Sequence, residues 1–233
     1  MNNMENKVFI ITGASSGIGF QTALNLQKKG SKVIWASRNI QNNEDVKNVV
    51  NKRSILMNLD VCNEESVKCF FSELKKDKII VDGLVNCAGY VKPESLLNTT
   101  LENWNKTLGV NLTGTFLCTK YATLLMKKNG GRIVNISSTA GLTPRPGWSA
   151  YAAVKSGIIN FSSAISEELQ VYGIKIFIIC PGRTATPLRK ILAPDEDPST
   201  IMQPEKVAEV IALCLSGEAD VLEGQPILVR ERF

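Results

Sequence analysis

The sequence predicts an α/β fold in which one doubly wound parallel sheet of about seven strands carries helices on both faces. Two patterns support this prediction. Seven short runs rich in Val, Ile or Leu show the near-continuous hydrophobicity of strands that are buried on both faces. Longer amphipathic stretches separate these runs, and alternation of strand and helix is typical of parallel sheets joined by crossover helices.

The predicted elements follow one another along the whole chain. Strands are expected at residues 8–11, 32–36, 55–59, 79–86, 132–137, 175–180 and 226–229, and helices at 18–29, 64–76, 101–127, 149–172 and 204–216. Gly30 and Gly173 stand where a helix ends in a left-handed residue, and Asn63 precedes an acidic first turn as an N-cap. Residues 1–233 are predicted to form a single domain with substrate-binding loops at 90–97, 139–148 and 183–202.

Composition excludes several classes of function. The chain contains no histidine, which excludes histidine acid–base catalysis, Ser-His-Asp triads and histidine zinc sites. Its net charge of +5 is spread in pairs such as Lys28–Lys29 and Lys127–Lys128, a distribution typical of solvated helix faces. We therefore expect neither a nucleic-acid partner nor a metal site.

The cysteines and the N-terminal segment bear on location. Six cysteines occur without a CxxC pair, a pattern that indicates reduced thiols in a cytoplasmic protein. The segment MNNMENK is polar, and the apolar run after it is much shorter than the roughly 20 residues of a membrane span. We expect a cytoplasmic location and no membrane partner.

A glycine-rich turn, TGASSGIG at residues 12–19, joins the first strand to the first helix. Glycines at such a turn allow close backbone approach to a pyrophosphate, and the positive helix N-terminus favours its negative charge. The turn predicts a dinucleotide site, although an ordinary glycine-rich strand–helix turn would look the same. The expected contacts are Gly13, Ser15, Ser16, Gly17, Ile18 and Gly19.

The end of the second strand bears on the choice of dinucleotide. NAD-selective sites place a carboxylate here for the ribose hydroxyls, whereas this chain has Ser37 followed by Arg38. A guanidinium binds a 2′-phosphate, which a carboxylate would repel. We predict a preference for NADP(H), with NAD(H) also possible; the alternative is that Arg38 is an ordinary surface residue.

The third and fourth strands also end in candidate cofactor contacts. Asp60 and Val61 follow the third strand and are expected beside the adenine, while Asn86, Ala88 and Gly89 follow the fourth and are expected beside the adenine ribose. Parallel sheets bind ligands at the carboxyl ends of their strands. Each of these short motifs is weak by itself, because Asp and Gly are common in loops.

Tyr151 and Lys155 lie four residues apart on a predicted helix, so their side chains share one face. An ammonium one turn away, together with the cationic nicotinamide of the cofactor, is expected to lower the tyrosine pKa, so that Tyr151 exchanges a proton with a carbonyl or alcohol oxygen. Both residues are also expected to contact the cofactor. The pattern alone equally fits a surface lysine beside a half-buried tyrosine.

Two polar residues upstream strengthen the catalytic interpretation. Ser138 ends the fifth predicted strand, and its hydroxyl is expected to polarise a substrate carbonyl. Asn111 lies among apolar residues within the long helix. It either bonds to backbone as a buried amide or marks a kink that holds a proton-relaying water for Lys155.

Taken together, these motifs resemble the short-chain dehydrogenase/reductase family over nearly the whole chain. The resemblance implies a Rossmann-type fold, hydride transfer between NAD(P)(H) and a small-molecule carbonyl or alcohol, and a catalytic tetrad of Asn111, Ser138, Tyr151 and Lys155. It also implies nicotinamide contacts by Pro181, Gly182, Thr184 and Thr186 of the PGRTAT motif, and a homodimer or homotetramer built on the helices at 101–127 and 149–172.

Departures from the family pattern leave the substrate open. The chain ends in QPILVRERF where the family commonly ends in Asp-Gly-Gly, which puts the usual tetramer contact in doubt. Acyl-carrier-protein reductases of the family tend to carry arginines at positions matching Asn129 and Tyr172. Their absence weakens, without excluding, a 3-oxoacyl thioester substrate.

Other classes of function compete with a carbonyl reductase. A non-catalytic NAD(P)-binding regulator could share the fold. An epimerase or dehydratase of the extended family would need a larger substrate domain.

The predicted substrate loops carry a basic and aromatic rim. It comprises Lys92, Arg145, Arg183, Arg189 and Lys190 alongside Tyr90, Leu142 and Trp148. The rim favours an anionic or phosphorylated substrate, although loop cations are commonly just solvated. The Pro-flanked stretch at 193–198 is expected to act as a mobile lid.

Overall fold

The computed structural model describes residues 4–231, and the last residues of the atypical C-terminus, Arg232 and Phe233, lie outside them. Seven parallel strands form one sheet in the order β3-β2-β1-β4-β5-β6-β7. The strands are β1 (Val8–Thr12), β2 (Lys32–Ser37), β3 (Ser54–Asn58), β4 (Gly83–Asn86), β5 (Gly131–Ile136), β6 (Ile174–Pro181) and β7 (Pro226–Val229). The predicted doubly wound α/β fold is confirmed.

Helices connect the strands and cover both faces of the sheet. They are α1 (Gly17–Lys28), α2 (Glu44–Lys47), α3 (Glu64–Lys76), α4 (Leu101–Leu108), α5 (Gly114–Met126), α6 (Ser149–Leu169), α7 (Pro187–Leu192) and α8 (Pro204–Ser216). Short 3₁₀ segments lie at Ile40–Asn42, Leu96–Asn98, Thr139–Gly141, Gln170–Tyr172, Pro198–Thr200 and Asp220–Leu222. Within residues 4–231, no helix has both the length and the apolar character needed to cross a membrane.

Alternation along the central strands divides the core into two layers. Phe9 and Ile11 of β1 pack on the face covered by α1 and α8, while Ile10 between them packs on the face covered by α3 and α5. Successive side chains of a strand point to opposite faces, so a strand buried on both sides must be apolar throughout. This is why seven continuous apolar runs were enough to predict the sheet.

The fourth strand is shorter than predicted. It begins at Gly83, and residues 79–82 precede it. Helix α3 ends with Lys78 in the left-handed conformation at φ 53°, and the Ile79 N–H donates to the Leu74 carbonyl at 3.0 Å. This is the hydrogen-bond pattern of a Schellman cap. Ile79, whose hydrophobicity resembled the start of a strand, therefore belongs to the cap of α3.

The long helix predicted at 101–127 is interrupted. Residues Gly109–Thr113 form a π-helical turn between α4 and α5. Such turns widen a helix locally and often occur at functional sites. Asn111 lies at the middle of this turn and is completely buried.

The order of the strands sets the position of the site. β1 pairs with β2 on one side and with β4 on the other, so the chain changes winding direction between β1 and β4. In open parallel sheets, this switch point leaves a crevice beyond the carboxyl ends of the strands. The predicted motifs lie on the loops that follow these strand ends.

Candidate active site

A cleft of about 600 Å³ lies along the carboxyl edge of the sheet, a size typical of small-molecule and cofactor sites. It brings together most of the residues predicted from the sequence. Those that line it are Gly13, Ser15, Ser16, Gly17, Ile18, Gly19, Ser37, Arg38, Asp60, Val61, Ala88, Gly89, Ser138, Tyr151, Lys155, Pro181, Gly182, Thr184 and Thr186. Asn86 and Asn111 do not line it.

The glycine-rich turn forms a cradle that a side chain would fill. Gly13 has φ 65°, and a Cβ built there would lie 2.7 Å from the Cα of Ala88. Ser16 precedes helix α1 and makes no side-chain cap hydrogen bond. The N–H groups of the first helical turn are therefore left for an anion, as a pyrophosphate site requires. These features fit a dinucleotide.

The second, third and fourth strands close the end of this cleft at which the adenine is predicted to bind. Burial and the nearby Asp60 carboxylate raise the pKa of the Cys62 thiol, and the charge of Arg38, which follows β2, acts in the opposite direction. The Asp60 carboxylate accepts a hydrogen bond from the Cys62 N–H at 3.0 Å. Thr12 fixes the end of β4, because its hydroxyl oxygen accepts from the N–H groups of Cys87 and Ala88.

The structure gives Asn86 a different position from the one predicted. Its side chain is buried under the sheet, where its amide nitrogen donates to Thr119 Oγ1 at 2.9 Å and to Asn135 Oδ1 at 2.8 Å. The Asn135 amide then donates to Ser162 Oγ at 2.9 Å. This polar ladder joins α5, β4, β5 and α6. The Asn86 side chain therefore does not line the cleft.

Tyr151 lies at the centre of the cleft and is 7% exposed. Burial raises its pKa to about 12, although a hydrogen bond from Ser138 and the charge of Arg189 act in the opposite direction. Among the chain's own groups desolvation dominates this pKa, and its lowering by Lys155 together with a bound nicotinamide stays a prediction. At neutral pH, Tyr151 is therefore a protonated phenol.

Lys155 lies one helical turn beyond Tyr151 and is 4% exposed. Its ammonium nitrogen lies 5.5 Å from the centre of the Tyr151 ring and donates to the Ile136 carbonyl at 2.8 Å. Burial lowers the Lys155 pKa to about 8. A cation is thus held close to the phenol while remaining only weakly stabilised by its surroundings.

Ser138 lines the cleft beside this pair, whereas Asn111 does not line the cleft. The Ser138 oxygen accepts from the Ala140 N–H at 3.1 Å, which leaves its hydrogen to be donated into the cleft. The Asn111 amide donates to the carbonyls of Tyr90 and Thr107, both at 2.9 Å. Asn111 therefore ties the π-helical turn to the loop after β4, as the backbone-bonding alternative predicted.

The substrate end of the cleft is formed by Trp148 and two arginines. The edge of Trp148 meets Tyr151 with ring centres 6.4 Å apart. The guanidinium of Arg145 lies 5.7 Å from the Trp148 ring and that of Arg189 lies 5.9 Å from it. Glu196 binds Arg189 through two hydrogen bonds of 2.6 and 2.8 Å.

The predicted substrate loops contribute unequally to the cleft. Residues 90–97 contribute Tyr90, while Lys92 pairs with Glu94 at 2.8 Å. Lys190 lines neither this cleft nor the smaller cavity beside it, and Arg183 and Leu142 line only the smaller one. Of the predicted basic rim, only Arg145 and Arg189 face the main cleft.

Comparison with known proteins shows the family of the chain. The family model described as short chain dehydrogenase matches residues 7–197. The chain belongs to the short-chain dehydrogenase family. It is therefore an NAD(P)(H)-dependent oxidoreductase.

Curated relatives of this short-chain dehydrogenase match over nearly their whole length. A 3-oxoacyl-[acyl-carrier-protein] reductase from Synechocystis is 34% identical over 96% of this chain and 89% of the relative. An uncharacterized oxidoreductase from Bacillus subtilis is 31% identical over 97% of this chain and 90% of the relative.

A solved structure is also similar. The crystal structure of a 3-ketoacyl-(acyl-carrier-protein) reductase from Brucella melitensis, complexed with NADH, has a TM-score of 0.88 and 28% identity over 97% of each chain.

The site of this short-chain dehydrogenase also contains residues that the sequence motifs missed. Cys62 and Ser137 follow strand ends that had already been identified, so the same reasoning could have found them. Lys106 lines the cleft from α4, with its ammonium 4.7 Å from the Tyr90 ring. The only sequence signal that could have identified Lys106 is that it lies four residues before Val110, which also lines the cleft. Cys87 also lines the cleft, and burial raises its pKa to about 12, which keeps the thiol protonated.

Proposed function

We propose that the protein reduces the carbonyl group of a small-molecule ketone to an alcohol, with NADPH as the preferred cofactor. The single observation that supports this most is the meeting of Ser138, Tyr151 and Lys155 in one cleft with the glycine-rich cradle. When bound, the cofactor would supply the hydride. The chain's own residues would bind the carbonyl, orient it and provide the proton.

Tyr151 would act as the proton donor in this reaction. Its raised pKa of about 12 keeps the phenol protonated at neutral pH, which is the form that can give a proton to a carbonyl oxygen. Ser138 would hydrogen-bond the carbonyl oxygen beside Tyr151. Lys155 would stabilise the negative charge that develops on the phenol oxygen. Asn111 would act indirectly, by fixing the π-helical turn and the Tyr90 loop.

The preference for NADPH rests on the adenine end of the cleft. Arg38 faces it without an ion-pair partner among residues 4–231, and Ser37 occupies the position of the selective carboxylate. A guanidinium there would bind the 2′-phosphate that distinguishes NADPH from NADH. The Brucella relative was crystallised with NADH, so both cofactors need to be measured side by side.

A 3-oxoacyl thioester is the second candidate substrate. The relatives named as 3-oxoacyl-[acyl-carrier-protein] reductases favour it, because they match 97% of this chain and 97% of their own length in the Escherichia coli case. Two positions argue against recognition of a carrier protein. The chain has Asn129 and Tyr172 where acyl-carrier-protein reductases of the family tend to carry arginines. We expect acetoacetyl-pantetheine and the same acyl group on a carrier protein to be reduced with similar KM values. A much lower KM for the carrier-bound form would establish carrier recognition.

A homodimer or homotetramer is also part of the proposal. Large apolar side chains lie exposed along the two long helices, including Phe116 at 42% and Leu124 at 52% on α5 and Val171 at 79% after α6. Association through these faces would cover them. Light scattering coupled to size-exclusion chromatography should give a mass of two or four times 25.5 kDa, and a monomer would contradict the proposal.

The reaction is tested by replacing Tyr151 with Phe, which removes one hydroxyl. NADPH oxidation with a panel of ketones and 3-oxo thioesters should fall by about 10³-fold or more, because the proton donor is lost. NADPH binding, followed by fluorescence, should stay within about twofold.

The control is Tyr121→Phe, which removes a hydroxyl bonded to Glu64 far from the cleft. Retained turnover in Tyr151→Phe would overturn the assignment. Tight NADPH binding by the wild type with no turnover on any substrate would favour a non-catalytic regulator.

A further inference from the structure

A second, smaller cavity of about 310 Å³ lies beside the main cleft. The two share Thr139, Arg145 and Gly182 in their walls, so they meet at these residues. Part of the smaller cavity is apolar, with Ile201 and Met202 almost completely buried. The far end of a substrate whose carbonyl lies at Tyr151 can therefore reach Arg145, where the two cavities adjoin.

Arginines dominate the charge of the smaller cavity. Arg145, Arg183 and Arg230 line it, and Glu231 is the one acidic residue in its wall among residues 4–231. In the main cleft, the acidic lining residue Asp60 lies at the opposite, adenine end. Walls that carry charge of one sign concentrate the field within a cavity and attract ligands of the opposite sign.

Arg145 differs from Arg183 and Arg189 in having no acidic partner among residues 4–231. Glu196 binds Arg189 through two hydrogen bonds and also contacts Arg183 at 3.2 Å, so one carboxylate offsets both of these charges. Arg145 forms no ion pair within residues 4–231 and instead lies against the Trp148 ring at 5.7 Å. Stacking holds the guanidinium in place but leaves its N–H donors for another group.

We propose that the junction of the two cavities is an anion-binding subsite centred on Arg145, and that the natural substrate is an oxo acid. Such a compound carries a carboxylate or a phosphate monoester a few bonds from the ketone that Tyr151 protonates. This inference rests on the proposed ketone reduction and adds the chemical class of its substrate. Arg145 recognises the charged group and takes no part in proton transfer.

The packing around Trp148 sets the spacing between the two ends of the substrate. The Trp148 ring lies beside both Arg145 and Tyr151. An anion bound by Arg145 is therefore close to the carbonyl that reacts at Tyr151, which suits short oxo acids. The phosphate of a pantetheine arm would be much farther from its thioester carbonyl.

Matched pairs of substrates test the subsite. One pair is 4-oxopentanoate and its methyl ester, and the other is dihydroxyacetone phosphate and dihydroxyacetone. In the first pair the charge at the far end changes with little change in size, and in the second pair the phosphate adds both charge and bulk. We expect the charged member of at least one pair to have a KM about 10- to 100-fold lower, the range typical of hydrogen bonds to a charged group. The pair that shows the preference identifies carboxylate or phosphate as the recognised group.

Variants of Arg145 assign the preference to this residue. Arg145→Gln should raise the KM of the charged substrate about 10- to 100-fold and leave the neutral partner's KM and kcat nearly unchanged. Arg145→Lys keeps the charge without the two-pronged guanidinium, so it should recover part of the loss. The matched control is Lys190→Gln, which removes a cation from α7 that faces neither cavity.

A binding measurement separates this inference from the proposed reaction. Calorimetric titration of the NADP⁺-loaded enzyme with 4-oxopentanoate or dihydroxyacetone phosphate follows complex formation without turnover. Binding that weakens about 10-fold or more in Arg145→Gln supports the subsite, even where turnover is slow. Equal KM and Kd values for charged and neutral members, or values unchanged by Arg145→Gln, would overturn the subsite. Reduction of the neutral ketones would then still leave the proposed reaction standing.

Discussion

The ammonium nitrogen of Lys155 lies 2.8 Å from the backbone carbonyl oxygen of Ile136, in a position where the side chain is almost fully withdrawn from water. A single carbonyl dipole replaces only part of the lost hydration of an ammonium ion. The pKa of Lys155 is therefore lowered to about 8 from its ordinary value of 10.5. The fold keeps a cation at the site at a cost in stability.

This cost predicts a pH dependence of stability that belongs to Lys155. Between about pH 8 and 10.5, the folded chain has released the Lys155 proton while the unfolded chain still holds it, so stability should rise with pH. We expect the free energy of unfolding of the wild type, relative to Lys155→Met, to increase by roughly 3 kcal/mol across this range. Urea unfolding of both proteins at matched pH values measures the difference. A difference that stays flat would show that Lys155 has an ordinary pKa.

Gly13 and Gly147 provide a matched test of the glycine-rich cradle. Both have positive φ, 65° and 77°, but a Cβ at Gly13 would meet Ala88 at 2.7 Å whereas a Cβ at Gly147 would have no neighbour within 4 Å. Gly147→Ala should cost about 1 kcal/mol from backbone strain alone. Gly13→Ala should cost clearly more and weaken NADPH binding at least about 10-fold, because the β4 loop must move. Thermal unfolding and cofactor titration of both variants check this, and equal effects would contradict it.

The fold was predictable because its strands are buried on both faces. Runs such as Phe9, Ile10 and Ile11 must be apolar when every side chain enters a core. Helices α2 and α7 were not predicted, since four and six residues are too few to show a helical period. The start of β4 was missed because a left-handed Lys78 caps α3 where sequence preference would place glycine.

The site was predictable to the extent that it follows from strand ends. Asn86 shows the limit of that reasoning, because residue type does not reveal which way a side chain points. Its register partner is Asn135 on β5, and this pairing of two buried amides became visible only with the sheet. The burial that raises the pKa of Tyr151 was hidden for a similar reason, because sequence spacing shows a nearby lysine but not how deeply the ring is enclosed.

Arg38 is predicted to set the choice of cofactor. Arg38→Gln should raise the KM for NADPH about 10- to 100-fold, because the 2′-phosphate loses a charged partner. The KM for NADH should change less than about threefold, since that cofactor lacks the phosphate. Lys52→Gln removes an exposed cation that lies outside the cleft and serves as the control. Initial rates with each cofactor give the comparison, and a parallel loss for both would assign Arg38 a structural role.

The polar ladder beneath the sheet is predicted to contribute strongly to stability. Asn86→Leu keeps the approximate size of the side chain but leaves Thr119 and Asn135 without their partner in a buried setting. Unpaired buried polar groups cost about 1–3 kcal/mol each, so we expect a loss of about 2–4 kcal/mol in the free energy of unfolding. Asn160→Leu makes the same exchange on the exposed face of α6 and should change stability by less than about 0.5 kcal/mol. Urea unfolding at neutral pH measures both variants. Should Asn86→Leu prove as stable as Asn160→Leu, the ladder would be a consequence of the packing of β4, β5, α5 and α6 and not one of its causes.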